Sequence, residues 1–574
     1  MPADFGVDRS ARRVSDAADV PQLGAGPSLL LDLAKPQVHA SADTRRTLLA
    51  ALPVLLIFGP VLPGLVWAMA PTLDTAVWLA LWQNAEWPQA LRATLVSSLL
   101  GSGLAFALAV ALVTLHYPGA MWLRLQRRLP LLLAVPHAAF AVGLFFLIAP
   151  SGWLARATAQ FLQWTSPPDW VTVQDPYGLS LALALAIKES WFLLWVLAAL
   201  LGEQQLRRRM VAARALGYGR LQVWRLILWP QLLPRLAWPL VAVLAYGLSV
   251  VDMAIILGPN TPPTLAVLIW RWLSNPDPAF QAMGSAASVV LLLILLLVAA
   301  AVHSFWQWRQ AHRAYPSGMR HPTRALRWLN LHTPLYATGY LVVAVLLVWS
   351  FAETWFFPAL WPDSLSWHSW LSADWAPFWT TLWLASAASL LCLPAALVWL
   401  EWGPRQLNAA LYLPLIIPSL PLVAGQYASL LHLNLDGTVA GLVWSHLLWV
   451  LPYMVLTLVG AYRAFDARLL TSARALGCSR SQSCLRVKWP LLLRPILATL
   501  AVGFTVSVAQ YLPTLFAGGG RFVTVTTEAV ALSAGGNRRV LAVQALLQIA
   551  LPLAAFGLAA LLPYWAGQHR KGWR

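Results

Sequence analysis

Twelve long apolar runs, each close to the roughly 20 residues that a helix needs to cross a bilayer, restrict this chain more than any other feature. They lie near residues 48–70, 93–115, 129–149, 179–201, 236–257, 283–306, 335–357, 378–400, 409–431, 438–460, 492–516 and 540–566. In hydrocarbon every backbone N–H and C=O must find its partner within the protein, so a spanning segment is either a helix or a strand of a closed barrel. The runs are unbroken and lack the short alternating pattern of barrel strands, which points to helices. Only 10% of residues are charged, 59% are hydrophobic and mean hydropathy is +0.65, a balance that a water-soluble domain could not carry without large exposed apolar patches. The expected fold is an all-α membrane protein of about 12 transmembrane helices.

Lys and Arg fix the expected orientation. With the N-terminus inside, 32 of the 39 Lys and Arg fall in cytoplasmic segments, which places both termini in the cytoplasm by the positive-inside rule. The same placement accounts for the net charge of +18 without any nucleic-acid partner. Residues 1–44 mix Pro, Gly, Asp and Arg without apolar periodicity and have no signal-peptide core, so they read as a disordered cytoplasmic tail. Residues 307–334 form a basic cytoplasmic linker between two sets of six spans, 45–306 and 335–566, and 567–574 form a short tail. Tryptophans gather at span ends, as in "WFFPALWPDSLSWHSW" (Trp355–Trp370), where an indole suits the lipid headgroup region. The three cysteines form no CxxC pair, which argues against a disulfide or thiolate metal site.

The two sets are related. At an offset of 260, Ala213–Leu233 matches Ala473–Leu493 at 11 of 21 positions, including "ARALG" and the pairs Trp229-Pro230 and Trp489-Pro490. Both copies follow the fourth span of their set, so the sets are tandem repeats of one orientation. A single basic loop of this kind reads equally as a lipid anchor; two in equivalent places suit a partner with two-fold symmetry. Each copy predicts a helix ending at a glycine, Gly217 or Gly477, then a second short helix ended by Pro230 or Pro490.

"VAARALGYGRLQVWRLILWPQLLP" and "TSARALGCSRSQSCLRVKWPLLLRP" resemble the EAA loop of permease subunits in binding-protein-dependent ABC importers of the type I fold. The resemblance covers nearly the whole chain from about residue 45, in the manner of fused double permeases of the ferric-iron and thiamine type. "LAIKESWFLLW", "SVVDMAIILGPNTPPTLAV" and "GGNRRVLAVQALLQ" resemble one branch of these fused permeases. It implies a bacterial inner-membrane permease that works with a cytoplasmic ABC ATPase dimer and an extracytoplasmic solute-binding protein, and needs no cofactor of its own. Transferred residue by residue, it implies that the ATPase-coupling loops comprise Ala213, Arg214 and the hinge Gly217, with apolar dockers Trp224 and Ile227 and prolines Pro230 and Pro234. In the second copy these are Ala473, Arg474, Gly477, Cys484, Val487, Pro490 and the shifted Pro495. Val211 and Thr471 stand where the family has Glu. The motor must lie elsewhere, because no G-x-x-x-x-G-K-[ST] occurs.

Charges within spans cost about 2.5–3.5 kcal/mol each and need a reason. Lys188 and Glu189 in the fourth span, Asp252 in the fifth and Gln510, which "SVAQ" aligns with "SVVD", are candidates for a polar translocation path attractive to a cationic solute; interhelical hydrogen bonding is the structural alternative. His446 reads as a packing residue, and no His/Cys/carboxylate set has metal-ligand spacing. On the outer side Arg538 and Arg539 either meet carboxylates of a docking solute-binding protein or hold lipid phosphates. Competing functions are an ion-gradient secondary transporter, disfavoured because the duplicated motif follows the fourth span, and an intramembrane enzyme built on Asp252 and Glu189.

Overall fold

The computed structural model describes residues 44–312, 319–320, 332–404 and 408–568. The expected N-terminal tail and most of the linker and C-terminal tail lie outside the described residues. The first half comprises α1 (Thr44–Phe58), α2 (Val61–Met69), α3 (Trp87–His116), α4 (Ala120–Ala134), α5 (His137–Ile148), α6 (Trp153–Leu162), α7 (Leu179–Leu201), α8 (Gln204–Ala215), α9 (Arg220–Val223), α10 (Trp229–Ser249), α11 (Asp252–Leu257), α12 (Leu265–Leu273) and α13 (Pro278–Ala311). The second comprises α14 (His332–Phe351), a small hairpin of β1 (Ala352–Thr354) and β2 (Ser364–Leu365), α15 (Ala376–Trp402), α16 (Ser419–His432), α17 (Val439–Ala464), α18 (Arg468–Ala475), α19 (Arg480–Ser483), α20 (Leu493–Val508), α21 (Leu512–Gly518), α22 (Val525–Ala534) and α23 (Arg538–Gln568).

The fold is helical and multi-spanning, but the count of twelve is not reproduced. Among the described residues ten helices are long and apolar enough to cross a membrane, and an eleventh arises if Arg480–Leu491 and Leu493–Val508, bent by 78°, form one span. The remaining run, 409–431, yields only the 14-residue α16, because Pro414 and Pro418 interrupt its first part. The third run is likewise split where Val135 and Pro136 leave helical geometry between α4 and α5. In the first half Pro230 does not end the helix. A π-helical turn, Trp224–Leu228, widens the hydrogen-bond ladder just before it, and the helix runs on from Arg220 to Ser249. In the second half Pro495 has no N–H for the carbonyl of Leu491, and the chain bends beside it.

From the fourth span onward the halves keep step. Helices start 260 residues apart at Leu179/Val439, Arg220/Arg480, Asp252/Leu512, Leu265/Val525 and Pro278/Arg538. Before that point the first half carries an extra segment, α6 and the loop to Gly178. Asp175 ties this loop to α7, its carboxylate accepting from the backbone N–H of Leu179 and Ser180 and from the Ser180 hydroxyl, each at 2.8 Å. Burial pushes that carboxyl up, but the bonds from Ser180, Leu179 and Tyr177 together outweigh it and hold it below the usual carboxylate range.

Small residues let the spans approach closely. Ala90, Ala93, Ser97, Gly101, Ala105 and Ala109 recur every three or four residues along α3 and are buried, and a Cβ on Gly101 would meet the Leu185 Cβ of α7 at 2.9 Å. The first spans are exchanged between halves. α2 lies against α16, where a Cβ on Gly64 would come within 1.9 Å of the Gly425 carbonyl oxygen and the Ser429 hydroxyl donates to the Pro60 carbonyl at 2.5 Å. Reciprocally, α14 lies against α5, where a Cβ on Gly143 would come within 2.4 Å of Val342 Cγ1.

At the end of the molecule away from the basic loops, Arg156 of α6 is 2% exposed and clamps the segment after α14. Its guanidinium donates to the carbonyls of Phe356 and Ala359 at 2.8 Å and of Trp355 at 3.2 Å, and stacks over the Trp355 ring at 4.7 Å. Arg156→Ala would remove the donor to the Trp355 carbonyl, at about 1–3 kcal/mol, and would leave the Phe356 and Ala359 carbonyls with only the local bonds from Ala359 N–H and Trp355 Nε1. Amide exchange across residues 355–360 is expected to accelerate at least tenfold, measured by hydrogen–deuterium exchange.

Candidate functional site

Each basic loop is built from its own local rules. α8 and α18 end in the same C-terminal motif: Tyr218 N–H donates to the Ala213 carbonyl at 3.2 Å and Gly217 N–H to that of Arg214 at 2.9 Å, matched by Cys478 to Ala473 at 3.1 Å and Gly477 to Arg474 at 3.0 Å. The motif needs a left-handed residue, and Gly217 and Gly477 supply it at φ +85° and +90°. The next turn restarts with Gln482 and Ser479 bonding reciprocally, at 2.9 and 3.2 Å. In the first copy Gly219 has no side chain, so only half of this box forms, Gly219 N–H donating to Gln222 Oε1 at 3.2 Å. Ala213 and Ala473 are buried, whereas Arg214 and Arg474 are exposed.

Trp224 and Cys484, expected to press on a partner, are turned inward, each 2% exposed. Trp224 is held between Tyr117 and Trp229, with ring centroids at 6.0 and 5.1 Å, because the π-turn starting at this position directs it to the core. Ile227 and Val487 are half-buried, as are Pro230, Pro234, Pro490 and Pro495. The large apolar side chains that both loops expose at the same place are instead Leu216, 59% exposed, and Leu476, 86% exposed, again 260 residues apart and each preceding its glycine.

Midway through the spans the halves meet in a polar cluster. Glu189 of α7 lies 3.2 Å from His137 Nε2 at the start of α5, and the His137 ring lies 4.6 Å from that of Tyr246 of α10. Asp252 opens α11 at a break in the fifth span and is within electrostatic reach of His137, Tyr246 and Tyr511; Glu189 is within reach of Tyr246 and Tyr453. Lys188 points away, donating to the carbonyls of Leu132, at 3.2 Å, and Val135, which the break after α4 leaves free. The 260-residue register pairs Asp252 with Leu512, so Gln510 lies in the equivalent break but two residues earlier than the SVVD/SVAQ alignment places it. His446 is fully buried, with Ser507 at 2.8 Å and Thr514 at 3.0 Å on its two ring nitrogens.

At the opposite end from the basic loops, Arg538 and Arg539 line a cleft of about 430 Å³ with Trp349, Glu353, Trp355 and Asn537. Arg538 is half-buried and held in place, donating to the Ser151 hydroxyl at 3.0 Å and lying over the Trp349 ring at 5.5 Å. Arg539 donates to the Glu353 carbonyl at 3.0 Å.

No family model matches the chain. Comparison with characterised proteins does place it. It is 42% identical over 526 residues to the inner membrane ABC transporter permease protein YnjC of Escherichia coli strain K12, covering 91% of this chain and 97% of that protein. The chain belongs to the ABC transporter permeases. The thiamine transport system permease protein ThiP of the same strain is 26% identical over 492 residues, 78% of this chain and 83% of its own length. The spermidine/putrescine transport system permease protein PotC of Haemophilus influenzae is 22% identical over 160 residues, 28% of this chain and 62% of its own. The protein is therefore an inner-membrane permease component of an ABC import system, a transport component rather than an enzyme. The secondary-transporter and intramembrane-enzyme readings fall away. Sequence reasoning about this permease missed His137, Tyr246, Tyr453 and Tyr511, single residues on separate elements, and Leu216 and Leu476, whose only signal was conformity to the repeat.

Proposed function

We propose that the two basic loops are the seats of a cytoplasmic ABC ATPase pair, that the basic end with both chain termini faces the cytoplasm, and that residues 45–306 and 335–566 act as two permease repeats. The observation that carries this is the duplicated helix–glycine–helix element, with the same backbone turn and an exposed leucine at the same place in each half. Two equivalent protrusions fit a two-fold partner, and closure of that partner around ATP would draw them together. ATP hydrolysis belongs to that separate subunit. At the other end, the cleft of Arg538, Arg539 and Glu353 receives a solute-binding protein, with Arg539 the accessible contact and Arg538 holding the cleft in shape. Between them the cluster of Glu189, Asp252 and Gln510 lines the path, with Lys188 fixing the broken third span beside it. The cargo is a small solute, in the size class of the thiamine and spermidine/putrescine that the relatives' names carry.

The test is capture of an ABC ATPase by the full chain. Burying a leucine contributes about 1.5–3 kcal/mol, so Leu216→Glu with Leu476→Glu is expected to lower ATPase affinity at least a hundredfold, measured by co-purification and by binding of the ATPase to nanodisc-held permease. Unchanged capture, or uptake that persists in cells without the ATPase, would overturn the proposal.

A further inference from the structure

The mid-membrane cluster has a composition that selects a kind of solute. Its two carboxylates, Glu189 and Asp252, come from the first half, and both are at least nine-tenths buried. Lys188 is the charged neighbour of Glu189, but its ammonium is bound to the backbone carbonyls of Leu132 and Val135, and it balances at most one of the two charges. The basic group that acts on Asp252 is His137, already bonded to Glu189. Among the described residues, one carboxylate is therefore left without a permanent counter-cation in a region where an isolated charge is expensive.

Three phenols stand within electrostatic reach of one or both carboxylates, Tyr246 of both, Tyr453 of Glu189 and Tyr511 of Asp252. Tyr246 belongs to the first half, and Tyr453 and Tyr511 belong to the second, so both halves bring phenols within electrostatic reach of the carboxylates. Tyr453 sits in the middle of α17, within electrostatic reach of Glu189 and Tyr246, yet is 38% exposed, and the His137 side chain is 33% exposed. Exposure at that depth, on a face turned toward the other half, is exposure to interior space rather than to lipid. Carboxylates of the first half and phenols of both halves thus border this space where the two halves meet.

We propose that Glu189, Asp252, Tyr246, Tyr453 and Tyr511 bind the cargo in transit and that this cargo is an organic cation. Carboxylates alone would serve a metal ion as well, but phenol rings favour an alkylated or delocalised nitrogen, which sheds its water at less cost than a small metal ion. Anions are repelled by the same two groups. The inference rests on the reading of the cluster as the transport path, and adds to it the charge and class of what passes.

The experiment is equilibrium dialysis of the full chain in nanodiscs against tetramethylammonium, sulfate and ribose. Saturable binding of tetramethylammonium, with none of sulfate or ribose, is expected. Asp252→Asn should weaken it at least tenfold, with Glu189→Gln as the second variant should the first fail to fold. Tyr453→Leu should weaken it several-fold and Tyr453→Phe should not, which separates the ring from the hydroxyl. No saturable tetramethylammonium binding, sulfate binding that depends on Asp252, or cation binding indifferent to both carboxylates would overturn the proposal. ATPase capture measured on the same preparations keeps the two readings apart: its loss with cation binding intact counts against the coupling loops alone, and the reverse result counts against the cation site alone.

Discussion

Replacing Gly217 and Gly477 together by valine is expected to cut ATP-driven uptake roughly a hundredfold in proteoliposomes holding the permease and its ATPase. Both residues sit at φ near +90°, where a residue with a Cβ costs about 1–2 kcal/mol and a β-branched one costs more. Space is not the obstacle. A Cβ at Gly477 meets nothing within 4 Å, and at Gly217 it meets only the flexible Arg320 side chain, at 3.2 Å. The penalty is therefore conformational, and Gly477→Asn, whose side chain tolerates the left-handed region, should retain most of the activity. Equal losses for asparagine and valine would show that the side chain blocks the partner rather than that the turn is strained.

Gly64→Leu is expected to destabilise the assembled bundle by about 3 kcal/mol or more, the upper range for overpacking. Its Cβ would lie 1.9 Å from the Gly425 carbonyl oxygen and 2.1 Å from the Ser429 hydroxyl, and the backbone oxygen cannot rotate away as a side chain can. Thermal unfolding in detergent should begin at a clearly lower temperature and the monodisperse fraction should fall. Gly103→Leu is the control, because a Cβ there meets nothing within 4 Å. If both variants behaved alike, close contact between α2 and α16 would not be what holds the first span.

The apolar runs made the membrane class and the approximate number of spans legible, since length and hydropathy are properties of one segment at a time. Prolines made the exceptions: Pro136, Pro414 and Pro418 cut runs that composition alone joins. Gly217 and Gly477 were legible because a glycine that ends a helix has a local cause. Trp224 was not, because a helix's spacing does not say which of its faces meets the protein, and the π-turn at that position changes the face. Lys188 and Glu189 could be separated only as adjacent positions on a helix; that one caps α4 and the other faces His137 depends on where the chain breaks at Pro136. The aromatic part of the polar cluster left no trace in the sequence, since Tyr453 and Tyr511 come within reach of Glu189 and Asp252 only when the halves are placed together.

The exchanged first spans carry a consequence for how the chain is made. The hydroxyl that bonds Pro60 belongs to Ser429, 369 residues later, so at about 5–20 residues per second the first span waits some 20–70 s for its partner to leave the ribosome. During that interval the face around Gly64 lies open to lipid or to other chains, and the second half must insert before the first can be completed. A ribosome that stalls in the linker would therefore leave a membrane protein with an unfilled seat and an unclaimed arm, each a ready mark for a quality-control protease.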